Sequence, residues 1–540
     1  MDNIKNNTNE EVQELPDQET EKQAAIKKKK KVTQKKNFVT MLFPTRKTEK
    51  TNDGMGLPKT AQDTIPYVNV FKNGIIESKP GFFTKSYKLT DINFRVAAEE
   101  DQDRIFKNYK EFLATFGADT MLQIVVNNRN EDKNEIINSV LCKMEADNYN
   151  EYRIEMNEML KDKMSEGRNN LISEKYLVVG TKRMDFNDVR STFSRIDSEI
   201  NQKFKDISSS QEVQTEPQTI YERLKCLHDI LNTGHENNLP INQIDLESLS
   251  KSGLTTKDLI APAFKFMPDC FRMGDKWARV LYIKNLPSSL STDFMSDLSA
   301  LSFNFTASFT ICPIPQDKAL KFVSHKLTEI RTNIIKAQKD ASKAGYSPNL
   351  ISPELMFTQE QAEILLDEFK TGGQKAFYWT CCIMHYADTK EELNEDTKAV
   401  EALGNRYLIT IEKLLAQQEI GFRTALPLAR GDLNIKRFMR TDEVAVFIPF
   451  TSKELMQKGG MYYGLNAVSH NLLLFNRLNS KNQNGLILGQ PGSGKSFSAK
   501  REMINVFLTT KDDIYVIDPE SEYAYMATLL NGSVIKLETG

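Results

Sequence analysis

Histidine and cysteine are scarce in this chain of 540 residues, and neither is spaced as a metal site requires. The chain has five histidines and six cysteines, and no cysteines stand in a C-x-x-C arrangement. Because structural zinc sites need closely spaced ligands, the sequence predicts reduced thiols of a cytosolic protein and no zinc site. The adjacent Cys381 and Cys382 lie in an apolar run, so we expect them on opposite faces of a buried strand.

An excess of either charge is also missing, as are long apolar runs. The 71 basic and 73 acidic residues leave a net charge of −2, which gives no overall field favouring nucleic acid. No stretch approaches the roughly 20 apolar residues that cross a bilayer. We therefore expect no membrane-spanning segment in this chain.

The first 60 residues are predicted to be a disordered tail, first acidic and then basic. Residues 1–25 are acidic and poor in apolar groups, and Lys27 to Lys31 is an unbroken lysine run. Such a segment buries too little surface to offset the entropy of ordering. Two interpretations stay open. The lysines could tether the chain to anionic lipid, at about 1 kcal/mol per basic residue, or the tail could simply be solvated.

Beyond the tail, strand and helix patterns alternate, which predicts an α/β fold. We divide this part into an N-terminal α/β subdomain (61–260), a second α/β subdomain (261–430) and a C-terminal region (431–540). The predicted strands are 121–126, 176–179, 279–283, 305–311 and 444–450, and the predicted helices include 97–116, 189–204 and 316–340. Residues 208–217 are expected to be a linker or long loop.

The clearest motif reads Gly-Gln-Pro-Gly-Ser-Gly-Lys-Ser and matches the phosphate-binding P-loop GxxxxGK[ST]. In this motif the backbone N–H groups surround the α- and β-phosphates of ATP. The lysine reaches the β- and γ-phosphates, and the final hydroxyl ligates Mg²⁺. The predicted nucleotide-binding residues are Gly489, Gln490, Pro491, Gly492, Ser493, Gly494, Lys495 and Ser496, with Lys495 also catalytic and Ser496 also a Mg²⁺ ligand.

The flanking residues agree with this assignment. Leu486 to Leu488 is predicted to enter the loop as a buried strand, and apolar residues at helical spacing follow it. A second predicted strand, Ile514 to Ile517, ends in Asp518 and Glu520. Because such a strand would end near the phosphates, Glu520 is a candidate for orienting the attacking water and Asp518 for holding Mg²⁺. A solvated acidic turn is the alternative.

The segments PLAR (residues 427–430), IPF (448–450), GGMYYGLN (459–466), GQPGSGKS (489–496) and YVIDPESEY (515–523) resemble the cytoplasmic ATPase of conjugative type IV secretion systems. That family belongs to the FtsK/HerA branch of RecA-like P-loop motors, and the likeness is best to its members on Gram-positive conjugative elements. It runs from about residue 63 to the end and is most specific from Gln418 onward. The resemblance implies that residues 431–540 are the beginning of a RecA-like P-loop ATPase domain.

The resemblance implies a motor that hydrolyses ATP with Mg²⁺ to energise channel or pilus assembly or substrate translocation. It also implies a homo-hexamer, cytoplasmic and peripheral at the inner face of the membrane. Its N-terminal domain would dock on other type IV secretion channel proteins, and any contact with DNA would be indirect.

One departure from the family leaves alternatives open. RecA-like motors carry an acidic pair on a later strand, and no such strand follows Ile514 to Ile517. We therefore expect the N-terminal part of a longer protein or a truncated product, with negligible ATPase activity in residues 1–540. The alternative functions are a DNA-pumping translocase or coupling ATPase, and a scaffold that senses nucleotide without hydrolysis.

Overall fold

The computed structural model describes residues 60–130, 141–166, 171–183, 185–208, 215–233, 241, 244–344, 347, 353–451, 455, 457, 459–466, 471–480 and 482–537. The predicted tail lies almost wholly outside these ranges. Residues 58–540 form one compact unit. Within the described ranges, most strands join a single sheet of 13 strands, and every strand pair in it is antiparallel.

The first half of the sheet is built from one stretch of chain. Strand β3 lies between β5 and the edge formed by β2 and β6, and β4 lies beyond β5. The order β4-β5-β3-β6 and the chain sequence strand-helix-strand-strand-helix-strand are those of the ferredoxin-like motif. The elements in order are α1 (Ala61–Thr64), β1 (Asn69–Val70), β2 (Ile76–Lys79), β3 (Phe82–Leu89), α2 (Glu99–Thr115), β4 (Thr120–Asn130), α3 (Asn150–Glu166), β5 (Leu171–Lys182), α4 (Phe186–Ser208) and β6 (Thr215–Pro217).

The second half repeats this arrangement after three connecting helices, α5 (Ile220–Leu231), α6 (Leu246–Lys251) and α7 (Thr256–Ile260). Its order β10-β11-β9-β12 matches β4-β5-β3-β6, and β8 lies beside β9 as β2 lies beside β3. The elements are β7 (Phe264–Phe266), β8 (Phe271–Met273), β9 (Lys276–Asn285), α8 (Asp293–Ser299), β10 (Phe305–Pro313), α9 (Gln316–Lys343), α10 (Pro353–Thr371), β11 (Ala376–Ala387), α11 (Lys390–Arg406) and β12 (Thr410–Lys413).

Equivalent strands of the two copies meet at the middle of the sheet. Strands β4 and β10 pair antiparallel from Leu122 opposite Ile311 to Asn128 opposite Phe305, with Val125 opposite Ser308 at the centre. Antiparallel pairing of equivalent strands relates the copies by an approximate two-fold axis. One sheet therefore crosses residue 260, where the sequence pattern places a boundary between subdomains.

Alternating side chains divide the core into a cluster on each face of the sheet. Helices α2, α4, α8 and α11 cover one face, and α5 and α12 (Gln418–Ala425) cover the other. Cys381 belongs to the first cluster and Cys382 to the second, and both are buried free thiols. The prediction of opposite faces is confirmed, and burial raises the pKa of Cys382 to about 12.

Buried Gln123 of β4 ties the seam between the copies to the chain after α12. Its Nε2 atom donates to Ser308 Oγ at 2.7 Å, to Leu426 O at 2.9 Å and to Thr424 O at 3.0 Å, and its Oε1 accepts from Ala429 N at 2.7 Å. All these polar groups are buried, so each needs the partner it has.

Most predicted strands and helices are present, but two segments differ from the prediction. Residues 215–217, predicted as loop, form β6 because Tyr87 to Leu89 of β3 offer an open edge. The prediction of a strand over Val444 to Phe450 is wrong. There β13 (Arg437–Arg440) leads directly into helix α13 (Thr441–Ala445), and the apolar side chains that follow pack into the core beneath α2.

Candidate nucleotide-binding site

The P-loop sequence leads directly into a helix, as predicted. Helix α14 (Lys495–Thr509) begins at Lys495, and Gly494 is its N-cap with φ of 88°. Gly492 also has a positive φ, 79°. Both angles lie in the left-handed region that glycine adopts without strain, which explains two of the three glycines of the motif.

The third glycine is in close contact with side chains of the loop. A Cβ atom on Gly489 would lie 2.3 Å from Ser493 Oγ and 3.1 Å from Lys495 Cγ. The loop is closed by a turn in which Ser493 N donates to Gln490 O at 3.1 Å. Residues 489–496 therefore curl back on Gly489, and an alanine at that position would displace the Ser493 hydroxyl and crowd the Lys495 side chain.

The start of α14 is open to a ligand. No side chain caps its N-terminus, so the first N–H groups of the helix point to solvent together with the positive end of the helix dipole. Lys495 is exposed and Ser496 is half-buried. Both N–H groups and the dipole favour a phosphate at this position. Residues 489–496 thus fit the phosphates of a nucleoside triphosphate.

The middle of α14 is fastened to a two-stranded hairpin, β14 (Met461–Leu465) and β15 (Leu472–Phe475). Arg501 Nη2 donates to Tyr463 O at 2.6 Å, and its guanidinium lies over the Tyr462 ring, 5.1 Å from the centroid. Glu502 accepts from Tyr463 Oη at 2.8 Å and pairs with Arg477 at 2.6 Å. These contacts hold α14 at its central turns.

The predicted strands on either side of the P-loop helix are not formed. Leu486 to Leu488 and Ile514 to Ile517 have no strand pairing in the described structure. Leu486 is 82% exposed and Ile517 is 99% exposed. The predictions of a buried strand over Leu486 to Leu488 and of a strand over Ile514 to Ile517 are wrong, because a strand needs a neighbour for its backbone hydrogen bonds and these residues have none among the described strands.

The two candidate carboxylates occupy a turn after Ile517. Asp518 accepts hydrogen bonds from Glu520 N at 3.2 Å and from Tyr523 N at 2.8 Å. Its oxygens therefore stabilise the turn that leads into helix α15 (Ala524–Leu529). Glu520 is exposed, and among the described residues neither carboxylate forms an ion pair with Lys495.

The sequence pattern did not identify the residues that support α14. Arg153 and Tyr149 contact the end of this helix from a connection far earlier in the chain, with 355 positions between Arg153 and Leu508. Arg477 lies against Gly485, where a Cβ atom would come within 3.0 Å of its guanidinium. A long-range contact of this kind leaves no periodic signal, so only the apolar Phe507 could have indicated it.

Two further observations concern metal binding and membrane insertion. Across the described ranges, no group of three or more His, Cys, Asp or Glu side chains is arranged to hold a metal ion. None of the helices in the same ranges is both long enough and apolar enough to cross a membrane.

No protein-family model matches the chain, and a search of curated proteins finds no match.

Proposed function

We propose that the chain binds ATP with Mg²⁺ at residues 489–496 and is the motor subunit of a conjugative type IV secretion machine. The observation that carries nucleotide binding is the loop itself, in which left-handed Gly492 and Gly494 lead into an uncapped helix that begins with Lys495. The secretion role rests on the resemblance of the segments around this loop to that family of ATPases.

In this proposal the roles of the residues follow from their chemistry. The N–H groups of the loop and of the first turn of α14 bind phosphate oxygens, and Lys495 neutralises the β- and γ-phosphates. Ser496 supplies the hydroxyl that would hold Mg²⁺, which lowers the charge on the phosphates when bound. ATP hydrolysis then energises channel assembly or substrate transfer by a homo-hexamer at the inner face of the membrane.

The test of nucleotide binding is titration of the 540-residue chain with a fluorescent ATP analogue and Mg²⁺. Lys495→Ala should weaken binding by about 100-fold, because removing a charged hydrogen-bond partner of phosphate costs about 2–3 kcal/mol. Lys511→Ala is the matched control, since Lys511 is an exposed lysine beyond the end of α14. Equal affinity in the wild type and Lys495→Ala would reject the site.

A second function, nucleotide sensing without hydrolysis, is favoured by one observation. Asp518 is engaged by two backbone N–H groups of its own turn, so it is held for a structural role. A chain that binds ATP and shows no turnover, with Glu520→Gln unchanged in affinity, would support sensing. Turnover lost in Glu520→Gln would support hydrolysis by this chain.

The proposed place at the membrane is tested separately. We propose that the lysine run Lys27 to Lys31 adds electrostatic attraction to anionic lipid, which salt screens. Deletion of residues 1–50 should lower recovery with phosphatidylserine vesicles at about 0.1 M salt, where the Debye length is about 10 Å. If the deletion did not change the recovery of the protein with the vesicles, binding to the membrane would have to come from the folded region.

A further inference from the structure

The last turn of α14 is held by a residue from the first ferredoxin-like copy. Arg153, on α3 in the connection between β4 and β5, donates from Nε to Leu508 O at 3.1 Å. Its side chain is only 3% exposed, and Nη2 donates to Asp147 Oδ2 at 2.7 Å. A carbonyl at the end of a helix lacks an intrahelical donor, and a cation there is favoured by the helix dipole. Arg153 satisfies both conditions.

Tyr149 makes a second contact with the same region. Its ring meets Phe507 edge-on, with the centroids 4.9 Å apart. Its hydroxyl donates to Leu530 O at 3.1 Å and accepts from Asn531 Nδ2 at 2.9 Å. Tyr149 thus links the end of α14 to the end of α15, which follows the candidate carboxylates Asp518 and Glu520.

A third contact runs through the hairpin that holds the middle of α14. Leu472 and Leu474 of β15 and Tyr462 of β14 pack with Leu160 of α3 in a small core of their own. Helix α3 therefore contacts the P-loop helix directly through Arg153 and indirectly through β14–β15. Both contacts come from α3, which lies in the β4–β5 connection of the first copy.

The corresponding connection in the second copy is built differently. Between β10 and β11 the chain forms two long helices, α9 and α10, and α9 packs back on the sheet with Phe322 stacked on Phe438 of β13 at 4.7 Å. The same place in the fold thus packs on the sheet in one copy and holds the P-loop helix in the other.

We infer that Arg153 and Tyr149 are positioning residues that couple nucleotide binding at residues 489–496 to α3 and the β4–β5 connection. The inference rests on the proposed function. Helix α14 has 15 residues and spans about 22 Å at 1.5 Å per residue. In the proposed function, phosphates bind at the N-terminus of α14, and the C-terminus of the same helix contacts Arg153. A displacement of the helix at its N-terminus would therefore also move the end that Arg153 holds.

Hydrogen exchange of the full 540-residue chain tests the coupling, with and without a non-hydrolysable ATP analogue and Mg²⁺. In the wild type, nucleotide should slow exchange both in α14 and in α3, by about threefold or more as local opening is suppressed. In Arg153→Gln, nucleotide should still bind within about threefold of wild-type affinity and protect the N-terminal turns of α14, while the protection of α3 is lost.

Two further variants keep the test decisive. Tyr149→Phe retains the ring against Phe507 and removes only the hydroxyl, so it should fold normally and lose part of the nucleotide-dependent protection of α3. Arg331→Ala breaks an exposed pair with Glu363 at 2.8 Å between α9 and α10, and should behave as the wild type. Should Arg153→Gln disrupt α3 before any nucleotide is added, Tyr149→Phe decides.

The outcomes separate the two proposals. A wild-type chain that binds nucleotide without any change in α3 overturns the coupling and leaves the proposed function standing. A wild-type chain that binds no nucleotide overturns the proposed function, and the coupling with it. Nucleotide-dependent protection of α3 that persists unchanged in both Arg153→Gln and Tyr149→Phe also overturns the coupling.

Discussion

Ser493 Oγ lies 2.3 Å from the point that a Cβ atom on Gly489 would occupy, so these two residues close the P-loop onto itself. The first glycine of the motif does not have a positive φ in this chain, and its lack of a side chain leaves room for the Ser493 hydroxyl. A side chain at this position would also contact Lys495, since its Cβ atom would lie 3.1 Å from Lys495 Cγ.

Gly489→Ala should weaken ATP binding by about tenfold, or about 1.4 kcal/mol, because the added methyl group displaces the Ser493 hydroxyl and crowds Lys495 Cγ. The measurement is titration with a fluorescent ATP analogue. Gly464→Ala in β14 is the control, since a Cβ atom there meets no heavy atom within 4 Å. Unchanged affinity in Gly489→Ala, with the thermal stability of wild type, would contradict the argument.

Gln123→Leu should lower the free energy of unfolding by about 1–3 kcal/mol, because it leaves Ala429 N buried without the acceptor it now has. Thr424 O and Leu426 O keep other donors, Ser308 Oγ at 3.2 Å and Leu428 N at 2.7 Å. Urea unfolding followed by circular dichroism measures the change. Gln361→Leu, on the exposed surface of α10, serves as the comparison and should alter stability by less than about 0.5 kcal/mol.

Because His385 is buried, we expect the protein to lose stability in mild acid. Burial lowers the pKa of this imidazole to about 3, and its Nε2 lies 2.9 Å from Thr397 Oγ1. Between the unfolded pKa near 6.5 and the folded value, the unfolded chain binds the extra proton, so stability falls as pH falls through this window.

His385→Gln should remove that part of the pH dependence. Between pH 6 and pH 5 the wild type should lose up to about 1.4 kcal/mol more than the variant, the maximum slope for one proton. Urea unfolding at pH 7, 6 and 5 provides the comparison. If the free energy of unfolding changed with pH in the same way in both proteins, folding would not lower the pKa of His385.

Beyond the predicted tail of residues 1–60, limited proteolysis should cut first in residues 482–537. Leu486, Tyr515 and Ile517 are 82%, 90% and 99% exposed, and their segments lack the strand pairing that protects backbone from proteases. Mass spectrometry of early fragments locates the cuts. Initial cleavage within the β3–β5 or β9–β11 strands would contradict the expectation.

The sequence predicted the local elements well where side-chain periodicity was strong. Helix α4 buries Val189, Phe193, Ile196 and Ile200 in the order that the pattern required. The P-loop helix starts at Lys495 as its motif demands. These features are local, because the period of the side chains and the conformation of glycine depend on neighbouring residues only.

The repeated strand order and the contacts that support α14 were not predictable in this way. The copies share strand order, not a repeating residue pattern, and the order is set by pairings such as Val125 with Ser308 across 183 positions of the chain. The strands around the P-loop were predicted from apolar character alone, and apolar character does not provide a pairing partner. Arg153 and Leu508 O meet only because α3 projects from the first copy.

The seam between β4 and β10 has an implication for the origin of this architecture. A protein with a single copy would expose the full edge of its β4 strand, and such an edge invites pairing with another chain. Two identical chains could satisfy it by joining edge to edge about a two-fold axis. The present chain makes that same junction within one polypeptide, with Val125 opposite Ser308. The chain between the paired strands differs in the two halves: the β4–β5 connection contacts the end of α14, and the β10–β11 connection forms the long helices α9 and α10.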